Sequence, residues 1–244
     1  MEFYGPAVYE NNNFFQNYLR RRNRKESPNN AIEKPIIFEL IKDIKNKHIL
    51  DLGCGDGRFG IELIERGCQT FRGIDGSLNM IKEASNNLNG TSSILENKRL
   101  EEWRSDGRKY DIIVSRMVLH YIETLPLLFN EIKRAMKKDG VFVFSVQHPT
   151  LTASEKSANE NTQRTDWVVD DYFLRGKREK IWIGKKVIKF HRPFEDYFQM
   201  LYQTGFKIID VREGAPEAIY FDTLEEYKRR MRVPLFLIFS CSIA

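Results

Sequence analysis

HILDLGCGDGRFG, residues 48–60, sets the architecture of this chain. His48–Leu52 reads as a short apolar strand running straight into a glycine-rich loop, and Phe59–Arg66 reads as the helix that follows, ended by Gly67. Glycines at 53, 55 and 57 let the backbone turn sharply and let a ligand approach without meeting a Cβ atom. A second strand, Thr70–Ile74, closes on Asp75-Gly76, which places Asp75 18 residues beyond Gly57. In an open parallel sheet both positions lie at the carboxyl edge, where ligands bind. An acidic side chain there can accept both hydroxyls of a ribose. The plainer alternative is a glycine-rich turn with a capping Asp.

The same rhythm extends in both directions. Ala31–Ile44 carries apolar residues at helical spacing, with Asn29 or Asn30 as cap and Glu33 near the positive end of the dipole. Ser77 caps a helix through Leu88, and Asn89-Gly90 turns the chain. Tyr110–Ser115 is a strand, Leu125–Met136 a helix, and Asp139-Gly140 leads into the strand Val141–Val146. Strands alternating with helices predict an α/β fold with a largely parallel sheet. After His148-Pro149 the pattern changes. Thr150–Thr165 is polar and reads as a mobile loop, and Lys180–Phe190 alternates about Gly184-Lys185 as a β-hairpin. A helix from Pro193 follows, stopped by Gly205, then strand Lys207–Val211, helix Thr223–Arg230 with the capping box Thr223…Glu226, and strand Leu235–Ser240. The expectation is one domain over 1–244, with an N-terminal helical region over 1–46 and a lid-like insertion over about 149–192.

The 244 residues are 41% hydrophobic and 30% charged, which excludes wholesale disorder. No run approaches the roughly 20 apolar residues of a membrane span, and MEFYGPAVYENNNFF lacks the basic leader and apolar stretch of a signal peptide. Cys54, Cys68 and Cys241 form no CxxC pair and argue against a disulfide framework or a cysteine zinc site. A cytoplasmic protein is expected. The formal charge of +5 is a mild excess, with basic clusters at Arg20–Lys25, Lys133–Lys138 and Lys228–Arg232. They read either as solvated helix faces or as an RNA-binding surface.

Gly55, Gly57 and Gly60 satisfy G-x-G-x-x-G, but Asp51 and Asp56 bring negative charge to the place where a dinucleotide presents its pyrophosphate. Those carboxylates favour a ligand with a cationic centre and an ammonium group. S-adenosylmethionine has both, and a ribose for Asp75. LDLGCGDGRFG, then GIDGS (73–77), YDIIVSRMVLHYI (110–122) and MKKDGVFVFSV (136–146) resemble, in order and spacing, the class I S-adenosylmethionine-dependent methyltransferases. The flanking SPNNAIEKP, QHP, HRPFEDYF and VPLFLIF are similar to a small-molecule, methyltransferase type 11-like subgroup. The resemblance implies a Rossmann-like seven-stranded, mostly parallel sheet with helices on both faces and an antiparallel last strand. It implies that Asp51, Gly53 and Gly55 hold the methionine portion and Asp75 the ribose, with Ser77–Met80 flanking the adenine and Cys54 and Gly76 as further cofactor-binding candidates. Where the family carries an Asp toward the adenine amine this chain has Arg99, so Leu100 or Glu101 takes that contact. Ser115 and Arg116 face the cofactor from the end of their strand, and Tyr4, Tyr9, Tyr18 and Arg20 are candidates to close over it.

Methyl transfer needs alignment, exclusion of water and sometimes removal of a proton. His120, His148 and His191 are the candidate bases, because each follows or ends a strand and imidazole titrates near neutrality. Each has a structural alternative, as a helix or turn cap or as part of a hairpin end. Tyr121, Trp182 and Arg192 are candidates for the acceptor pocket, with the aromatics of the insertion forming either a lid or a satellite core. The expected activity is transfer of a methyl group to a small-molecule acceptor, leaving S-adenosylhomocysteine. An RNA or tRNA methyltransferase and a non-catalytic S-adenosylmethionine-binding protein are the competing readings. The sequence leaves open the acceptor, the atom methylated and the oligomeric state.

Overall fold

The computed structural model describes residues 2–154, 156 and 166–243. The chain opens with β1 (Glu2–Tyr4), a 3-10 turn over Gly5–Glu10, and α1 (Asn12–Arg22), capped by the Asn11 side chain. A π-helical turn, Asn29–Glu33, leads into α2 (Lys34–Ile41). The expected α/β alternation then appears as β2 (His48–Leu52), α3 (Arg58–Glu65), β3 (Thr70–Asp75), α4 (Leu78–Asn87), β4 (Ser93–Asn97), β5 (Tyr110–Arg116), α5 (Leu125–Ala135) and β6 (Met136–Gln147). The last part holds α6 (Pro149–Thr152), the hairpin β7 (Gly176–Trp182) and β8 (Lys185–His191), α7 (Phe194–Gln203), β9 (Phe206–Arg212), α8 (Leu224–Arg230) and β10 (Phe236–Ile243).

Seven strands form one sheet in the order β4-β3-β2-β5-β6-β10-β9. The first five run parallel, and β10 is antiparallel to both β6 and β9. This is the Rossmann-like sheet that the sequence implied, final antiparallel strand included. Apolar side chains cover both faces. Leu50, Phe129, Phe142, Phe144, Leu201 and Phe239 pack on one, and Ile37, Ile49, Leu63, Phe71 and Ile238 on the other. Among the described residues no helix is long and apolar enough to cross a membrane.

Five local expectations differ from the structure, the first being that Met136 and Asp139-Gly140, expected as helix end and turn, already belong to β6. β4 went unread because SILEN holds only two apolar residues, and as the edge strand it leaves Ile94 exposed. The helix expected over Ala31–Ile44 begins as a π turn and stops at Ile41, where Lys42 takes a positive φ of 55°. Neither Asn29 nor Asn30 caps it; the Asn30 amide instead donates to the Arg22 and Arg24 carbonyls. Residues 150–152 of the expected loop form α6, and 155 and 157–165 lie outside the described residues.

The hairpin turns at Ile183-Gly184, both at positive φ, close to where Gly184-Lys185 was expected to turn it. β8 also pairs in parallel with β1, giving a three-stranded sheet of order β1-β8-β7. Segments far apart in sequence therefore share one small sheet beside the carboxyl edge of the large one.

Candidate active site

A cavity of about 380 Å3 opens at the carboxyl edge of β2, β3 and β5, walled by the glycine loop, the ends of those strands and the N-terminal arm over residues 5–22. The loop conformation is backbone-driven. Gly53, Gly55 and Gly57 all have positive φ, and the Gly53 N–H donates to the Ile74 carbonyl at 2.7 Å. A Cβ on Gly53 would stand 2.2 Å from Val118 Cγ2, whereas one on Gly55 would meet nothing within 4 Å. The loop thus packs tightly on one side and presents bare backbone on the other.

Two carboxylates mark the floor. Asp75 accepts from the Gly55 N–H at 3.0 Å and the Ser77 N–H at 2.9 Å, and burial still raises its carboxyl to a pKa of about 6. Asp51 is buried more completely, and its Oδ1 has no hydrogen-bond partner among the described residues. Burial raises its carboxyl to about 7, against the opposing pull of Arg116. A buried acceptor without a donor is costly, and a cationic group entering the cavity satisfies it.

Arg116 lies over the Phe59 ring and is paired with Glu33, which is fully buried. The same carboxylate accepts from the Ser145 hydroxyl at 2.6 Å. In the sequence Glu33 suits the helix dipole. The π turn instead swings it inward, where it neutralises the arginine against the cavity wall.

The arm is latched over the site. Glu10 accepts from the Ser77 hydroxyl at 2.7 Å, the Asn79 amide donates to the Tyr9 carbonyl at 2.9 Å, and Pro6 sits against Gly76. Tyr9, Tyr18 and Tyr121 line the cavity. Tyr9 and Tyr18 pack edge to face at 4.9 Å, and Trp182 backs them at 6.4 and 5.6 Å. Burial raises all three tyrosine pKa values, so their hydroxyls stay protonated at neutral pH.

Of the residues singled out in the sequence, Asp51, Gly53, Cys54, Gly55, Asp75, Gly76, Met80, Leu100, Glu101, Arg116, Tyr9, Tyr18 and Tyr121 line this one cavity. Others stand outside its wall. Ser115 is fully buried and donates to the Leu52 carbonyl at 2.8 Å, and the Ser77 hydroxyl caps α4 by accepting from the Met80 N–H. Arg20 is exposed and bonded to Asn17, and it is Arg22 that reaches the cavity wall. Arg99 pairs with Glu101 at 3.2 Å. Arg192 donates to the carbonyls of Ile122 and Glu123, holding the segment behind Tyr121. Tyr4 stands exposed at the end of β1.

None of the three candidate histidines lines the cavity. His148 accepts from the Thr150 N–H as the cap of α6 and bonds Glu213 through Nε2 at 3.0 Å. His191 donates from Nε2 to the Tyr172 carbonyl and accepts at Nδ1 from the Thr152 hydroxyl. Both rings are committed to protein partners, so these two take the structural alternative. His120 is buried directly behind Tyr121, with ring centroids 4.3 Å apart, and its Nδ1 accepts from the Gln147 N–H at 3.3 Å. Burial, with Lys189 and Arg192 nearby, holds its pKa well below the usual value. Residues missed in the sequence are Glu33, Arg22, Asn29, Asn30 and Lys34. Arg22 is one of a run of arginines, and Asn29, Asn30, Glu33 and Lys34 read as the polar start of a helix, so neither signal marks a site.

The donor set fits S-adenosylmethionine. An unpartnered carboxylate oxygen awaits a cation, Asp75 faces the cavity beside open backbone at Gly55, and the arm covers both. A methyltransferase-domain family model matches residues 18–210. A solved S-adenosylmethionine-dependent methyltransferase from Mesorhizobium loti superimposes with a TM-score of 0.78 at 30% identity, covering 86% of this chain and 96% of that one. An uncharacterised protein of Haemophilus influenzae is 30% identical over 85% of each chain. A malonyl-[acyl-carrier protein] O-methyltransferase of Acetivibrio thermocellus is 28% identical over 73% of this chain, which spans 60% of that enzyme's length.

Proposed function

The chain belongs to the S-adenosylmethionine-dependent methyltransferases, and from that premise we propose that it moves a methyl group to a small-molecule acceptor by direct displacement. Bound S-adenosylmethionine supplies an activated methyl group on a sulfonium, and S-adenosylhomocysteine is left. In this reading Asp75 accepts from the ribose hydroxyls, and Gly76, Met80, Leu100 and Glu101 flank the base. Asp51, Gly53, Cys54 and Gly55 surround the methionine portion, and Arg22 stands on the same wall for its carboxylate.

Tyr9, Tyr18 and Tyr121 then form the acceptor end. Their protonated hydroxyls donate hydrogen bonds rather than accept protons. His120 acts as a positioning residue, stacking against Tyr121 from behind. Arg192 and Trp182 support that wall, and the arm with the β1-β8-β7 sheet serves as the cover that keeps water out.

The observation that carries the small-molecule reading is convergence: the three tyrosines and both aspartates line one pocket of about 380 Å3, partly roofed by the arm. The test is calorimetric titration of the full chain and of Asp75→Ala with S-adenosylmethionine. Transfer of labelled methyl to a panel of small acceptors and to bulk tRNA completes it. Binding weakened by the substitution, with label in a small acceptor, is expected. Label found only in RNA would overturn the small-molecule assignment.

A further inference from the structure

Two basic runs distant in sequence meet in the fold beside this cavity. Residues 20–26 and 222–232 hold nine basic and four acidic side chains, an excess that equals the whole chain's formal charge of +5. Lys25 lies 3.8 Å from Asp222, and Glu26 accepts from the Asp222 N–H. Asn30, on the cavity wall, binds the Arg22 guanidinium at 2.9 Å and the Arg24 carbonyl at 2.9 Å, so Arg24 is anchored directly to the site. Across from it, Arg229 and Arg230 share one carboxylate, Glu226. The Nε–H groups of both are buried with no hydrogen-bond acceptor among the described residues.

Among the described residues Glu226 is the one carboxylate paired with these arginines, so Arg24, Arg229 and Arg230 together carry two positive charges beyond it. Burial and repulsion from Arg229 and Arg24 lower the Arg230 pKa. Orphaned, partly desolvated guanidinium donors are expensive to hold, and their planar forks match an oxyanion. A carboxylate would balance only one of the two charges, whereas a phosphate monoester is a dianion. We infer that Arg24, Arg229 and Arg230 form a phosphate-monoester site beside the cavity, and that it holds the anionic end of the methyl acceptor. The second clause rests on the methyltransferase reading; the site itself does not.

Inorganic phosphate and acetate are titrated separately into the full chain at pH 8 and constant ionic strength, with calorimetric detection. Saturable phosphate binding, weakened about tenfold or more by Arg24→Gln and by Arg230→Gln, is expected, with acetate far weaker. Arg24 is exposed, so its variant keeps the fold, and its affinity for S-adenosylmethionine is expected to stay that of the parent. Equal binding of both anions, or unchanged phosphate binding in both variants, would overturn the site while leaving cofactor binding intact. Phosphate binding in this pattern by a chain that ignores S-adenosylmethionine would keep the site and overturn its tie to methyl transfer. Single-stranded RNA binding orders of magnitude tighter than phosphate, with a steep salt slope lost in the same variants, would replace the monoester with a nucleic-acid backbone.

Discussion

Glu33 and Arg116 form a largely buried ion pair between the π turn and the end of β5, with Glu33 wholly buried and the Arg116 side chain 7% exposed. The pair stands against the same wall as Asp51, whose ionisation Arg116 favours and Glu33 opposes. Both members of the pair thus bear on the ionisation of Asp51 where a cationic ligand is expected.

Glu33→Gln leaves Arg116 buried with its countercharge removed. A loss of about 3–5 kcal/mol is expected in denaturant unfolding, because an uncompensated buried charge is what a broken buried pair leaves behind. Glu33→Leu combined with Arg116→Met should lose clearly less than Glu33→Gln.

Asp51 sets a pH dependence. Its folded carboxyl, near 7, lies above the ordinary 3.8, so the protonated form favours folding. That contribution is complete below about pH 4 and is lost as pH rises through 7, at about 1.4 kcal/mol per pH unit across the window. Cofactor affinity runs the opposite way: a cationic ligand prefers ionised Asp51, so affinity for S-adenosylmethionine is expected to rise several-fold from pH 6 to 8. Asp51→Asn should flatten that profile in calorimetric titrations.

His120→Asn tests whether that imidazole takes a proton. Outside the cavity wall and held neutral, it is expected to change kcat by less than tenfold, with any loss appearing in the acceptor KM through Tyr121. A fall of 10²–10⁴ in kcat would mark a general base.

Gly53→Ala places a Cβ 2.2 Å from Val118 Cγ2 at a residue with φ of 86°. Strain and overlap together are expected to destabilise the fold by about 2–4 kcal/mol. Val118→Ala in the same chain should recover the overlap part but not the backbone part, read as a partial return of Tm.

Much of the sheet was readable because its signals are local. HILDL, YDIIVS and the glycine stops at 67 and 205 sit where strand, loop and helix ends require them. Asp51 and Asp75 followed from the same logic, since the ends of adjacent parallel strands must converge. What stayed hidden depended on distant partners. Glu33 on an apolar helical stretch gave no sign that Arg116 would meet it. Arg20 and Arg22 were indistinguishable until the turn of α1 was fixed. The histidines illustrate the converse: residue type and strand-end position suggested chemistry, while caps and hairpin bonds consumed the nitrogens of His148 and His191.

The β1–β8 pairing also bears on when the chain becomes competent. Glu2, Phe3 and Tyr4 find their partners only at Lys186, Val187 and Ile188, so the arm has no docking strand until β8 has left the ribosome. The glycine loop and its two aspartates can assemble much earlier, from contacts within residues 48–116. Nascent chains therefore carry an uncovered floor first and gain the roof late. Because such distant closure is slow to form, ligand capture should lag the first appearance of the sheet.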